Sequence, residues 1–375
     1  MSQQVYIIGD NIISPLGQTS EENYQRVVRR ETGITRIEDP ALSSTPFYGA
    51  RICEAMLPLA DTHFTRFEKL CVESISDALS QSEIQFSDPE TVFILSTTKG
   101  NIELLANGET DIDISLSAAA EKIAQFYASS NKPVIVSNAC ISGVLAIITA
   151  KRLLASGRYK HAVVTGADVL SKFVVSGFQS LMAISDEECR PFDKERKGIN
   201  LGEGAGTVIM TTDKSLTNDK SVLVMGEGLT NDSNHISGPS RSGAELADAA
   251  TKAMHRSDVK AADLSFVSAH GTATIYNDEM ESKAFEAAGL IDVPLHSLKG
   301  NFGHTLGAAG IIETIISIYS LRNKTVLPSR NYAENGVPGK INVNAEQKPS
   351  DKTVALKTAS GFGGCNAALV LSLVS

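Results

Sequence analysis

Short runs of β-branched and other apolar residues alternate along the chain with stretches whose apolar positions recur every three or four residues. Val5 to Gly9, Thr91 to Ser96, Val134 to Ser137 and His161 to Gly166 have the length and Val/Ile content of buried strands. Residues 66 to 81 instead set Phe67, Leu70, Cys71, Ile75, Ala78 and Leu79 on one helical face. Such alternation predicts a layered α/β fold. Gly206 to Thr212 is a further strand, and after the polar link TDKSLTNDKS the segments VLVMG, LSFVSAHG, PLHSLKGN, VALKTASG and NAALVLSLV supply five more. In each half a strand runs into a small-residue-rich apolar helix: residues 133–140 into one ending near Gly157, residues 294–301 into one ending near Arg322. The pattern reads as a duplication, although any α/β protein offers two superimposable strand–helix units.

Composition narrows the function. The 375 residues are 42% hydrophobic and 21% charged, as expected of a folded globular protein large enough to bury a deep pocket. Lys and Arg number 34 against 43 Asp and Glu, a net charge of −9, so there is no general basic field for nucleic acid or anionic lipid. The N-terminal stretch lacks the basic, apolar and small-residue succession of a signal peptide, which points to the cytoplasm. The five cysteines (Cys53, Cys71, Cys140, Cys189, Cys365) are scattered without a CxxC pair, which suits reduced thiols better than disulfides or a zinc site. The apolar stretches Ala139 to Ala150 and Leu306 to Leu321 are too short to span a bilayer comfortably, and Glu313 interrupts the second; both read as buried helices.

Three segments carry candidate chemistry. Cys140 sits where a strand turns into a helix, in VSNACISGVLAIITAKRLLASG, so helix amides and dipole would favour its thiolate and small neighbours leave room for a substrate. A small buried core cysteine is the plainer alternative. His270 follows the strand LSFVS, with Asp278 and Glu281 eight and eleven residues on, spaced to share a helix face and either orient a loop or sit in solvent. His304 lies in KGNFGHTLGAAG, five residues after Lys299, where a cation and an imidazole beside a glycine-rich turn suit a developing oxyanion. GEGAG at 202–206 precedes a strand instead of joining strand to helix, which rules out a dinucleotide fingerprint. His63, His161, His235, His255 and His296 have no metal-ligand spacing, so no metal and no cofactor are expected. The glycine run TASGFGGCNAALVL turns between two strands, and amides around Phe362 are candidate oxyanion donors.

In order and spacing, VYIIGDNIISPLG, NACISG, RPFDKERKGINLGEGAG, AHGTATIYNDEMES, KGNFGHTLGAAG and SGFGGCNAA together resemble the β-ketoacyl-(acyl carrier protein) synthases of the Cys-His-His type over nearly the whole chain. The resemblance implies a thiolase-like fold, two pseudo-duplicated βαβαβαββ halves in a five-layered α/β/α/β/α arrangement. Residues 1–213 would carry the nucleophilic cysteine and 214–375 the two histidines, fused as one unit. It implies Cys140, His270 and His304 as the triad, Lys299 as the lysine that positions and tunes His304, Asp278 and Glu281 as supports, and the amides of Cys140 and Phe362 as oxyanion hole. The implied reaction is decarboxylative condensation of an acyl thioester, through acyl-Cys140, with malonyl-carrier protein, in fatty-acid or polyene/polyketide-type synthesis. A non-elongating, chain-length-factor-like partner subunit and a thiolase are the alternatives. Implied partners are acyl carrier protein and a second subunit, in a homodimer or a heterodimer with a related ketosynthase; Arg196, Arg66 and Lys69 are the candidate carrier-docking cations. Three departures stand out. About forty residues separate Lys99 from Cys140, a shortened form of the family segment that walls the acyl pocket; Ser360 stands where many members have phenylalanine; and Cys365 replaces a usual threonine. Because thiolases use a second cysteine near their C-terminal glycine turn, Cys365 keeps that alternative open.

Overall fold

A computed structural model describes residues 3–57, 63–107, 114–234 and 238–374; His235 lies outside them. Eleven strands form the main sheet: β1 Tyr6–Ile13, β2 Thr91–Ser96, β3 Val134–Val136, β4 His161–Asp168, β5 Gly204–Thr211, β6 Val222–Asn231, β7 Leu264–Ser268, β8 Pro294–His296, β9 Asn342–Val343, β10 Val354–Gly361 and β11 Cys365–Leu373. Their order is β9-β8-β7-β10-β11-β6-β1-β5-β4-β2-β3. Outward from the β1–β6 join, β1-β5-β4-β2-β3 and β6-β11-β10-β7-β8 repeat one pairing pattern, two antiparallel contacts followed by two parallel ones. Among the described residues the two sets are joined by the paired positions Tyr6↔Leu223 and Ile7↔Val222 and by the Val224 amide donating to the Val5 carbonyl. The duplication inferred from hydrophobic patterning is therefore present in the topology.

The helices that position the site are α1 Ser20–Val28, α2 Arg66–Ser80, α3 Leu116–Phe126, α4 Ser142–Ala155, α5 Lys172–Ser180, α6 Ala244–Arg256, α7 Ile275–Ala287 and α8 Ala309–Arg322. Helix α2 starts where the periodicity predicts, on a capping box in which Thr65 accepts from the Glu68 amide and the Glu68 carboxylate accepts from the Thr65 amide. It packs with α3 on one sheet set through Phe67, Leu70, Ile75 and Ile123. Helices α6 and α7 cover the other set through Ala249, Ala253 and Phe285.

Helices α4 and α8 are apolar nearly all round because they form the middle layer, in one core with strands of both sets, including Val164, Val208, Leu369 and Leu371. This is the expected five-layered arrangement. The two helices meet through glycine. A Cβ on Gly143 would lie 2.8 Å from the Ile311 amide nitrogen and 2.9 Å from that of Gly310, so only the missing side chain lets the backbones touch. Among the described residues no helix is long and apolar enough to cross a membrane.

Candidate active site

Strand β3 ends at Val136, and the chain turns sharply through Ala139, whose φ of 44° lies in the left-handed region, before α4 begins. That turn places Cys140, 8% exposed, in the wall of a cavity of about 430 Å³. The Phe362 amide donates to the sulfur from the β10–β11 hairpin, whose Gly361 packs on the Cys140 amide nitrogen. The expected pull of the helix start toward thiolate meets an opposing effect of burial at this thiol. Burial outweighs Lys299 and the Phe362 amide and pushes the thiol up to about 11, with Asp168 and Glu313 adding to the rise.

His270 stands two residues beyond the end of β7, and α7 holds it there. The His270 and Gly271 amides donate to Glu281 at 2.9 and 2.6 Å; those of Thr272 and Phe192 donate to Asp278 at 3.0 and 2.7 Å. Asp278 and Glu281 thus orient a loop instead of forming a solvated face. Burial raises the Asp278 carboxyl to about 6 and that of Glu281, beside Asp278, to about 7.

His304 follows a helical turn at Lys299–Phe302. Its amide donates to the Asn200 carbonyl at 2.7 Å and its carbonyl accepts from Gly202 at 3.0 Å; a Cβ on Gly202 would strike the Phe302 carbonyl, so the GEGAG run is the bed of this turn. Asp168 braces the turn from below by accepting from the Gly307 amide at 2.7 Å. The His304 Nδ1 accepts from the Leu306 amide at 3.2 Å, so the neutral ring carries its proton on Nε2.

The three side chains converge. One sulfur and one nitrogen from each ring lie within 4.8 Å of one another, and the imidazoles are edge to face with centroids 5.1 Å apart. Burial, then Lys299, holds both imidazoles well below the usual histidine range. Lys299 Nζ donates to the His270 carbonyl at 3.1 Å and pairs with Glu313, while its charge acts on the His304 ring, as the expected tuning requires. Glu313 also pairs with Lys357 at 2.7 Å, and all three are nearly or wholly buried. Neither Glu313 nor Lys357 figured among the candidate site residues, although each is a lone charge in an apolar run. A cysteine and two histidines are metal-ligand types, but two ammonium groups sharing one carboxylate behind them oppose a cation.

The remaining candidates fare unequally. Arg196 does not offer a docking cation: its side chain is 5% exposed, donates to the carbonyls of Asp193 and Gly336 at 3.0 and 2.6 Å, and lies 3.7 Å from Glu279. Arg66 is likewise turned inward, onto Glu203, Glu54 and the Ile52 carbonyl. Lys69 is half-buried, with no ion pair among the described residues. Ser360 donates to Asn366 at 2.8 Å in the cavity wall. The Cys365 thiol donates to Asn231 at 3.1 Å and is outside that wall. No described residue between Lys99 and Ala139 lines this cavity, contrary to the expected pocket wall; its apolar side is built by Phe178, Leu181, Met182 and Ile199.

The family model described as the β-ketoacyl synthase N-terminal domain matches residues 105–215, and the C-terminal domain model matches residues 222–333. The chain belongs to the β-ketoacyl synthase family. Together the two models of this family cover more than half of it. The chain is 27% identical to 3-oxoacyl-(acyl-carrier-protein) synthase 2 of Vibrio cholerae over 98% of both chains, and 32% identical to the Rhizobium meliloti protein of that name over 69% of this chain and 64% of the other. In fold it is similar to a β-ketoacyl synthase from Burkholderia phymatum, with a TM-score of 0.90 at 24% identity over the whole of both chains. It is also similar to a chain of the ketosynthase–chain length factor complex from Xenorhabdus doucetiae, with a TM-score of 0.88 at 23% identity over 99% of this chain and 98% of the other. All three converging side chains lie on the family's motifs: NACISG, AHGTATIYNDEMES and KGNFGHTLGAAG.

Proposed function

We propose that this β-ketoacyl synthase condenses an acyl thioester with malonyl-carrier protein, releasing CO₂ and giving 3-oxoacyl-carrier protein, with Cys140 as nucleophile. The convergence of one thiol and two buried imidazoles on a single cavity carries the reading. In the first step the sulfur attacks the acyl carbonyl as its proton leaves. His304 already bears a proton on Nε2, so His270 is the ring able to accept it. The amides of Cys140 and Phe362 receive the oxyanion, the carrier thiolate departs with a proton, and acyl-Cys140 remains. In the second step the malonyl C–CO₂ bond breaks and its electron pair becomes an enolate whose oxygen faces the ring donors. The enolate carbon attacks the acyl carbonyl, and the bond to Cys140 sulfur breaks.

Cys140 argues against a non-elongating subunit, and Cys365, hydrogen-bonded outside the cavity, argues against a thiolase. Malonyl- and acyl-carrier substrates given to the purified chain should yield CO₂ and an acyl adduct on Cys140. Absence of both across a panel of chain lengths would falsify the reading.

Division of the chain at 213/214 fits the repeated strand pattern. A two-subunit assembly, of two copies or of one copy with a related ketosynthase, is supported by the free outer edge of β3 and by exposed Phe173, Leu181 and Met182. Acyl carrier protein is the substrate carrier, and Lys69 is the remaining docking cation of the three. Five free cysteines suit a reducing compartment such as the cytoplasm.

A further inference from the structure

Behind the two imidazoles lies a group that the proposed reaction does not yet use. Lys357, in the middle of β10, is fully buried. Register sets it beside Ser268 of β7, the third residue before His270 being Val267 and the second Ser268 itself. Its Nζ donates to the carbonyls of Ser268 at 3.2 Å and Ala269 at 3.5 Å and to that of Thr358 at 2.6 Å, and it forms an ion pair with Glu313 at 2.7 Å. Lys299 holds the next carbonyl along, that of His270, at 3.1 Å. Two ammonium groups therefore grip three consecutive carbonyls of the segment that delivers His270.

Charge gives the arrangement its meaning. Two lysines pair with one carboxylate, Glu313, so cations outnumber anions in that trio; burial and Lys299 pull the Lys357 pKa down while Glu313 and Glu281 hold it up. An uncompensated buried charge is costly to keep, and a neutral side chain of similar volume would leave Lys299 and Glu313 as a simple pair. An enolate oxyanion forming at the imidazoles is the negative charge that such an excess favours, and in a site closed to water the attraction is weakly screened.

Resting on the condensation reading above, we propose that Lys357 is a positioning residue for enolate formation: it clamps the strand end that presents His270 and adds a second ammonium group beside Lys299 behind the histidine pair. Cys140 lies beside that pair and Lys299 and Lys357 act on it, while Glu281 on α7 accepts from the His270 amide and Glu313 on α8 pairs with both lysines. Burial, then the two lysines, holds the His304 imidazole down, and Lys357 contributes to the same effect at His270.

The full-length chain and its Lys357→Met variant are compared in two separated steps, acylation of Cys140 followed by intact mass and decarboxylation of malonyl-carrier protein followed by CO₂ release. The proposal expects decarboxylation kcat to fall about tenfold, the equivalent of one unit of electrostatic effect, with KM for the malonyl carrier within twofold of the parent; acylation, which also uses His270, should slow by less than decarboxylation. A merely structural defect would depress both steps equally and raise KM. Lys357→Gln, which retains donors for the carbonyls without the charge, is read in the same way and serves if the methionine variant does not fold. Decarboxylation within twofold of the parent in a folded variant overturns the assignment of Lys357 alone. A parent that neither acylates Cys140 nor releases CO₂ removes the condensation reading, and the assignment with it.

Discussion

Gly143 and Gly310 lie backbone to backbone where α4 crosses α8, and this contact sets the reach between Cys140, three residues before one glycine, and His304, six before the other. A Cβ on Gly310 would penetrate the Val144 amide nitrogen and lie 3.0 Å from the Gly143 carbonyl carbon. Backbone cannot swing aside as a side chain does, so the helices themselves must part.

Gly310→Ala is therefore expected to destabilise the chain by about 1–3 kcal/mol, as overpacking does in dense cores. It should also slow condensation more than it slows alkylation of Cys140, because the sulfur stays in place while its distance to His304 changes. Denaturant melts and the two rates check this. A variant as stable and as active as the parent would mean that the helices do not meet as described.

Much of this arrangement was legible in the residues. Strand length and Val/Ile content located Thr91–Ser96 to the residue, and helical spacing located α2 to within one residue of its end. Cys140, His270 and His304 each stand in a strand-to-helix link, a place that periodicity marks. What hydrophobic patterning could not give was the direction of long cationic side chains. Arg196 and Arg66 have the composition of surface docking residues, yet each finds buried carboxylates or carbonyls brought from distant segments, Gly336 and Glu203 among them. Glu313 and Lys357 were hidden for the converse reason: each lies in a run apolar enough to predict burial, and only the fold shows that the two meet.

The buried position of Arg196 separates stability from carrier recognition. Arg196→Ala leaves the Asp193 and Gly336 carbonyls without their donor, while Glu279, 38% exposed, stays in water, so it should cost about 1–3 kcal/mol, the range for an unsatisfied buried polar group. KM for the carrier in the folded fraction should hardly change. Lys69→Glu is expected to do the opposite, leaving the melt within about 0.5 kcal/mol and raising KM severalfold at low salt, with the difference shrinking as salt screens it. A salt-insensitive KM for Lys69→Glu would remove that residue from the docking surface.

The thiol of Cys140 supplies a pH test. Burial pushes it up to about 11, so the thiolate fraction at neutral pH is small and grows about tenfold per pH unit until that value is approached. Alkylation of Cys140, followed by peptide mass, should keep rising from pH 7 to pH 10 without a plateau. Cys189, also buried and pushed up to about 12, is the internal comparison and should lag behind. Levelling of the Cys140 rate below pH 8 would show a thiol far more acidic than its surroundings allow.

The tautomer of His304 divides the two histidines between steps. Its Nδ1 is occupied by the Leu306 amide, which leaves Nε2–H as a donor to an oxygen and unable to take the Cys140 proton. His304→Ala should accordingly leave acylation of Cys140 within a few-fold of the parent and lower CO₂ release by about 10²–10³, the usual effect of deleting one oxyanion donor. His270→Ala removes the ring assigned as proton acceptor and should slow both steps. Single-turnover acylation by intact mass, set beside CO₂ release for each variant, gives the comparison. Equal losses in the same step for the two variants would mean that the rings act as one unit, and the division of labour drawn from the Leu306 hydrogen bond would fall.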